Sequence, residues 1–271
     1  MLEHRDTLRM CPLNTYDGEA EGDAAVVFGI RSCARQVVAR YRAAGKPFLI
    51  VDKGYTRRKS RGHIEINAYW RVGVNGLHSA VPAKTLYPEG RFEKLRMDVQ
   101  PLIGEKGNGY VLILPPARKI FLFLDLGDLE YMKRFFAQVA KRVLDLTKRM
   151  VHFRGKTEQG RWQFTLEMSE RVSLCSEEQT IRQSVAGAAC VITHTTNAGV
   201  SALLAGVPVI ELGCGVVKPL AEMDLDKVSN PRRYTEEERR EFLNWLAYQQ
   251  WTLAEIASGE AWAYLRPQLL R

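Results

Sequence analysis

Paired cysteines are missing from this sequence. Its five cysteines, Cys11, Cys33, Cys175, Cys190 and Cys214, are odd in number, irregularly spaced and contain no Cys-x-x-Cys pair. That excludes a disulfide framework and a zinc ribbon, and it points to buried thiols in a reducing compartment. A bilayer-spanning run is missing as well. The long weakly polar stretch Gly199–Val217 is interrupted by Pro208 and Glu211 and reads as a buried α/β segment. The opening residues MLEHRDTLR are charged and lack an apolar core, so no secretory signal is expected. There is no internal repeat, no low-complexity tract and no strand-linked Gly-x-Gly-x-x-Gly. Gly213-Cys214-Gly215 lacks the third glycine, which disfavours a nicotinamide-dependent oxidoreductase. Acidic side chains are scarce in one window. Residues 31–71 hold eleven Lys and Arg against Asp52 and Glu65, a local charge of +9 where the whole chain carries +8. Such a field suits a polyanion such as nucleic acid, and it is equally compatible with a solvated basic face.

What is present is the material of an α/β protein. The 271 residues, 46% hydrophobic, are enough for two domains with sizeable cores. Ala24–Gly29 and Pro47–Asp52 read as buried strands. Between them Arg31–Ala44 has helical spacing, with Val37, Val38 and Tyr41 inward and Gly45 closing it; together they form a βαβ start and imply a parallel sheet. The basic loop Lys53–Gly62 leaves the carboxyl end of the second strand, the edge at which open α/β sheets place ligands. Ile64–Val74 reads as a pair of short strands carrying Tyr69, Trp70 and Arg71. Pro101–Gly109 resembles a hinge, and Tyr110–Leu114 opens a second α/β unit. Leu129–Thr147 is the clearest helix, with Met132, Phe135, Phe136, Val139, Val143 and Leu146 along one face. The tail Glu236–Leu265 is expected to be helical and aromatic. This gives three segments: residues 1–108 and 109–235 as two Rossmann-like domains facing across a ligand cleft, and residues 236–271 as C-terminal helices packing across both.

The most informative segment is VITHTTNAGVSALLAGVPVIELG, residues 191–213. A short strand enters the polar turn Thr193-His194-Thr195-Thr196-Asn197. A helix of small residues follows, and Gly206 stops it before the next strand. Free N–H groups and partial positive charge at a helix start favour a phosphate or carboxylate, and Ala198 and Gly199 leave room for close approach. One cap needs one polar residue, so four in a row favour a ligand role over capping alone.

With Arg154-Gly155-Lys156 upstream and Gly206-Val207-Pro208-Val209-Ile210 downstream, residues 110–215 resemble the C-terminal domain of GT-B glycosyltransferases and their epimerase relatives. There such a segment cradles the diphosphate of a nucleotide sugar. The segments VDKGY (Val51–Tyr55), YWRVGVNGLH (Tyr69–His78) and Leu243–Trp262 are similar to glycosyltransferase-like proteins of phages and prophages, some of which glycosylate hydroxymethylated DNA bases. Ser201 departs from the pattern, since many members carry there a Glu that holds the donor ribose. Either donor recognition differs or another group, Glu211 among them, substitutes.

The resemblance implies a metal-independent transferase that uses no cofactor beyond its nucleotide-diphosphate-sugar donor substrate. The donor is expected on Arg154, Lys156, His194, Thr195, Thr196, Asn197, Gly199 and Glu211. His194 is read as a phosphate contact or as a histidine packed under the helix. Asp52, at a strand end, is the expected base, with His78 as runner-up; Asp52 paired to a neighbouring Arg is the structural alternative. Lys53, Tyr55, Arg57, Arg58, Lys59, Arg61, Tyr69 and Arg71 are candidate DNA contacts, although at least one of the adjacent strand residues must point into the core. Asp224-x-Asp226 is set aside as a metal motif. DNA is the expected partner, with surface polysaccharide or another glycan as the rival acceptor and a non-catalytic nucleic-acid-binding protein as the rival class. No membrane partner is expected, and the location is expected to be cytoplasmic, that of the host cell for a phage protein.

Overall fold

The computed structural model describes residues 22–30, 32–56, 68–79, 87–103, 109–155, 170–176 and 178–269. The candidate residues Arg57, Arg58, Lys59, Arg61 and Lys156 lie outside them.

The first lobe opens with β1 (Ala25–Phe28), α1 (Ser32–Ala43) and β2 (Phe48–Lys53), and β1 and β2 pair in parallel as the βαβ reading expects. Two further strands complete the sheet, in the order β1-β2-β3-β9. Both β3 (Tyr69–Val74) and β9 (Gln250–Thr252) run antiparallel to their neighbours. The lobe is therefore a mixed sheet, not the all-parallel one implied by its first three elements. Alternation sets its two faces. Phe48 and Ile50 join Ala25, Val27, Val37, Val38 and Tyr41 under α1. Leu49 and Val51 face the other way, with Val72, Trp251 and the tail residues Leu265 and Leu269.

A short α2 (Gly90–Leu95) leads to the second lobe, where β4 (Tyr110–Leu114), β5 (Val151–Phe153), β6 (Val172–Leu174), β7 (Ala188–Thr193) and β8 (Val209–Glu211) form one parallel sheet. The spatial order β6-β5-β4-β7-β8 is that of a doubly wound fold, with its topological switch between β4 and β7. The connecting helices are α3 (Arg118–Phe123), α4 (Leu129–Leu146), α5 (Ile181–Ala186) and α6 (Ala198–Leu204). Asp128 caps α4 by accepting from the Tyr131 N–H at 2.7 Å. The expected apolar stripe of α4 packs on the sheet through Met132, Phe136, Val139 and Val143, while Phe135 and Leu146 are only half-buried.

The tail begins with α7 (Glu236–Ala247), opened by a Thr235–Glu238 capping box. Phe242, Leu243, Trp245 and Leu246 sit in the second lobe's core. The chain then crosses to the first lobe as β9, a strand absent from the helical reading of the tail. It ends in α8 (Leu253–Ala257) and α9 (Glu260–Leu269). Arg91 of α2 ties this crossing down. Its guanidinium donates to the carbonyls of Ala247 and Gln250 at 2.8 and 2.7 Å and lies 3.7 Å over the Trp251 ring. No helix among the described residues is long and apolar enough to cross a membrane.

Candidate functional site

The polar turn after β7 lies at the switch point of the second sheet, the general ligand position of a doubly wound fold. Thr195 adopts a left-handed backbone with φ of 51°, unusual for a β-branched residue. Glu211, fully buried at the end of β8, holds that conformation. Its carboxylate accepts from Thr193 Oγ1 at 2.7 Å, the Thr195 N–H at 2.7 Å and the Gly213 N–H at 2.9 Å. A methyl group on Gly215 would run into the same carboxylate. Both oxygens of Glu211 are thus engaged behind the turn, which places it as a brace and not within reach of a donor ribose. Gly199 is also structural. A Cβ there would come within 2.7 Å of Val217 Cγ2, so the glycine lets α6 pack on that segment rather than making room for a ligand.

His194 is buried between α3 and α4. It meets Phe135 and Phe136 edge-on at 5.7 and 6.3 Å and Phe121 at 5.8 Å, while Nδ1 lies 3.2 Å from Thr195 Oγ1. Burial lowers its pKa below 6.5, with Glu211 pulling more weakly the other way. At neutral pH it is an uncharged ring in an aromatic box, which is the packed alternative and not a cation for phosphate. Thr196 Oγ1 accepts from the Ala198 N–H at 3.3 Å. Asn197 makes no side-chain cap on α6. Its Oδ1 instead accepts from Arg71 Nη1 of the first lobe at 2.7 Å.

Arg154 follows β5, two strands from the turn, roughly 10 Å away by inter-strand spacing. Its Nη1 donates to the Ser176 carbonyl and to Ser184 Oγ at 3.3 and 3.2 Å. The structure therefore puts Arg154 and the turn on the same sheet edge but not in contact. Asp224 and Asp226 have local roles: Asp224 accepts from the Asp226 N–H, and Asp226 pairs with Arg142 at 2.7 Å. No group of three or more His, Cys, Asp or Glu is placed to hold a metal ion among the described residues.

On the first lobe the register sets Asp52 of β2 opposite Arg71 of β3. Arg71 is 1% exposed, and its Nη2 donates to Asp52 Oδ2 at 2.8 Å. This moves Arg71 out of the basic surface in which its charge was counted. It is an interior cation, neutralised by Asp52 and bridging to Asn197. Asp52 keeps Oδ1 without a partner among the described residues, at the carboxyl end of its strand. Tyr55 is also buried, in the core cluster that contains Leu112 and Leu114 of the second lobe. Its hydroxyl lies 2.8 Å from His78 Nδ1. Burial pushes the Tyr55 pKa up to about 12, against the pull of Arg71. The His78 pKa falls well below 6.5, first through burial and second through Arg71. Lys53 is exposed and Tyr69 half-buried. Of the candidate nucleic-acid contacts in the described residues, Lys53 and Tyr69 thus reach solvent, and Tyr55 and Arg71 line the junction of the lobes.

One participant escaped the sequence reading. Gln250 of β9, fully buried, accepts through Oε1 from the N–H groups of Tyr55 and Thr56 at 2.9 and 3.2 Å and donates to Thr56 Oγ1 at 2.9 Å. It anchors the start of the loop that leaves β2. The signal was Gln249-Gln250, a polar pair inside an aromatic stripe.

Two Rossmann-like lobes meeting across a polar junction, with a tail that returns to the first, define the GT-B architecture. Among solved structures, the chain is similar to the KpsC β-Kdo 2,4 transferase of Thermosulfurimonas dismutans, with a TM-score of 0.50, 15% identity, and coverage of 82% of this chain and 78% of that one. The KpsC β-Kdo 2,7 transferase of the same organism matches with a TM-score of 0.45, 12% identity, and coverage of 90% and 85%. A UDP-N-acetylglucosamine 2-epimerase-like structure from Listeria monocytogenes matches with a TM-score of 0.32, 17% identity, and coverage of 76% and 58%. No protein-family model and no curated protein matches the sequence. At these identities the likeness is one of fold.

Proposed function

We propose that the chain is a glycosyltransferase of the GT-B type, which moves a sugar from a nucleotide-sugar donor held by the second lobe to a hydroxyl held against the first. The observation that carries this reading is the shared guanidinium. Arg71 grips Asp52 Oδ2 and Asn197 Oδ1 at once, so the candidate base and the candidate donor turn lie one side chain apart. In the reaction the acceptor hydroxyl gives its proton to Asp52, on the oxygen that Arg71 does not use, and its oxygen bonds to the anomeric carbon. The bond from that carbon to the phosphate oxygen breaks, and its electron pair leaves with the nucleotide. Arg154, Lys156 and the N–H groups of the turn stabilise the leaving phosphate, and no metal is required.

A polyanionic acceptor is supported by the charge of residues 31–71, and DNA carrying hydroxymethylated bases is the acceptor we place first. Such a base would have to be flipped out of the duplex to reach the junction. A glycan acceptor is a second reading, favoured by the likeness to the KpsC β-Kdo 2,4 transferase. The deciding experiment incubates the protein with a panel of nucleotide sugars and either hydroxymethylated DNA or acidic oligosaccharides, then weighs digested nucleosides and intact glycans by mass spectrometry. A mass gain of one sugar residue on the modified nucleoside is expected. Gain on the glycan alone replaces the acceptor. DNA binding with no transfer from any donor overturns the enzyme reading in favour of a binding protein.

A further inference from the structure

Asp52, Arg71 and Gln250 stand in one row across the first sheet, Asp52 opposite Arg71 and Arg71 opposite Gln250. Directly opposite residues share a face, and a row over three strands spans about 10 Å. Gln250 carries no charge and has no part in the proposed reaction, yet it is fully buried and both polar atoms of its side chain are engaged. All the partners of that side chain lie just beyond β2. The chain leaves β2 with one more bond of the ladder, from the Gly54 N–H to the Tyr69 carbonyl at 2.9 Å. A Cβ at Gly54 would collide with that carbonyl and lie 3.1 Å from Gln250 Oε1. The glycine lets the chain press onto β3, and the end of β2 and the side chain from β9 meet there.

The direction of these bonds is fixed. Backbone N–H groups only donate, so the edge of the amide that faces Tyr55 and Thr56, at 2.9 and 3.2 Å, is its oxygen. The NH2 is then the edge that meets Thr56 Oγ1 at 2.9 Å, and the hydroxyl oxygen accepts. The hydroxyl's own hydrogen points away from Gln250, and no described residue receives it. Thr56 is half-buried, so it reaches solvent where its neighbour Tyr55 does not. Tyr55 packs with Leu112 and Leu114 of the second lobe, which puts the clamp at the lobe junction. Gln250 stands next in the row to Arg71, which holds both Asp52 and Asn197. A solvent-reachable O–H of set direction, on the segment that follows the candidate base, suits an oxygen of the acceptor.

We propose that the carboxy-terminal tail completes the acceptor side of the site. Gln250 is a positioning residue that clamps Tyr55 and Thr56, and the Thr56 hydroxyl it orients donates to an oxygen of the acceptor. The role deepens the glycosyltransferase reading and rests on it for the identity of the acceptor. The clamp does not rest on it, so the two fail separately.

The test has two arms. Amide hydrogen exchange is followed by NMR in the parent and in Gln250→Met, which keeps the bulk of the side chain and removes both hydrogen-bonding atoms. The Tyr55 and Thr56 amides should exchange at least about tenfold faster in the variant, with those of β4 and β7 unchanged. Parental exchange at the two amides overturns the clamp whatever the enzyme does, since this arm needs no substrate. In the second arm, turnover is measured with the donor and acceptor found by the screen. Gln250→Met and Thr56→Val should each raise the acceptor KM about fivefold and leave the donor KM within about twofold of the parent. Thr56→Ser, which keeps the hydroxyl, should bring the acceptor KM back to within about twofold. Thr56→Val leaves the buried clamp in place and decides the role of the hydroxyl even where Gln250→Met does not fold. A parental acceptor KM in Thr56→Val, or an equal rise in both KM values, sinks the assignment.

Discussion

The chemistry of this protein turns on individual side chains that serve two neighbours at once. Asp52→Asn keeps an oxygen for Arg71 but cannot take a proton. It should fold with near-parental thermal stability and lose at least about 100-fold in kcat, the usual scale for a general base; unchanged turnover would remove Asp52 from the mechanism. Arg71→Met strips the partner from a buried carboxylate and should lower stability by about 3–5 kcal/mol in chemical denaturation, as loss of one member of a buried pair does. A loss below about 1 kcal/mol would mean that the Asp52–Arg71 contact in the structure is not maintained in solution. Both residues were in view in the sequence: Asp52 lies at a strand end as read there, paired to an Arg as in the structural alternative, whereas Arg71 was counted with the basic surface. A sum of charges treats all eleven basic residues alike, and what separates Arg71 from Lys53 is the face of the strand on which each sits. That alternation becomes decisive only when the partner strand and the opposing lobe are known. His194 was open for the same reason, since its three Phe neighbours come from α3 and α4, more than fifty residues upstream.

At the level of elements, the β7–turn–α6–β8 unit and helix α4 could be read directly, because each announces itself within a few residues, α4 through the Asp128 cap and an apolar stripe and the unit through its polar turn, small-residue helix and stop at Gly206. The direction of β3 and the presence of β9 could not. A three-residue strand inside a helical, aromatic tail has no periodicity of its own, and it forms because β3 offers an edge and Arg91 holds the neighbouring carbonyls. The turn itself depends on a glycine that the motif does not include. Gly215→Ala would press a methyl into the Glu211 carboxylate and release the left-handed backbone of Thr195. Nucleotide-sugar affinity is expected to fall about tenfold or more by calorimetry, with the second sheet otherwise intact by circular dichroism. Parental affinity in that variant would detach the turn from donor binding.

For the whole molecule, three histidines, His78, His152 and His194, are held below the ordinary imidazole pKa of 6.5, each chiefly by burial. A folded state that resists protonation binds fewer protons than the unfolded chain, so the stabilising contribution is complete above about pH 6.5 and fades as the pH falls below it. Urea midpoints measured between pH 5 and 8 should be flat in the upper half of that range and decline in the lower half. His194→Gln should reduce the slope; a midpoint that rises on acidification would contradict the burial of these rings.

The return of the tail as β9 has a consequence for how the chain is made. The first sheet takes a strand that is synthesised only after the whole second lobe, about 180 residues beyond β3. At a translation rate of about 5–20 residues per second, the open flank of β3 would wait about 10–40 s on the ribosome for its last neighbour. Until then the Trp251 side of that sheet is uncovered, and Gln250 is not yet there to pin the loop after β2. The amino-terminal half is thus born first but finished last.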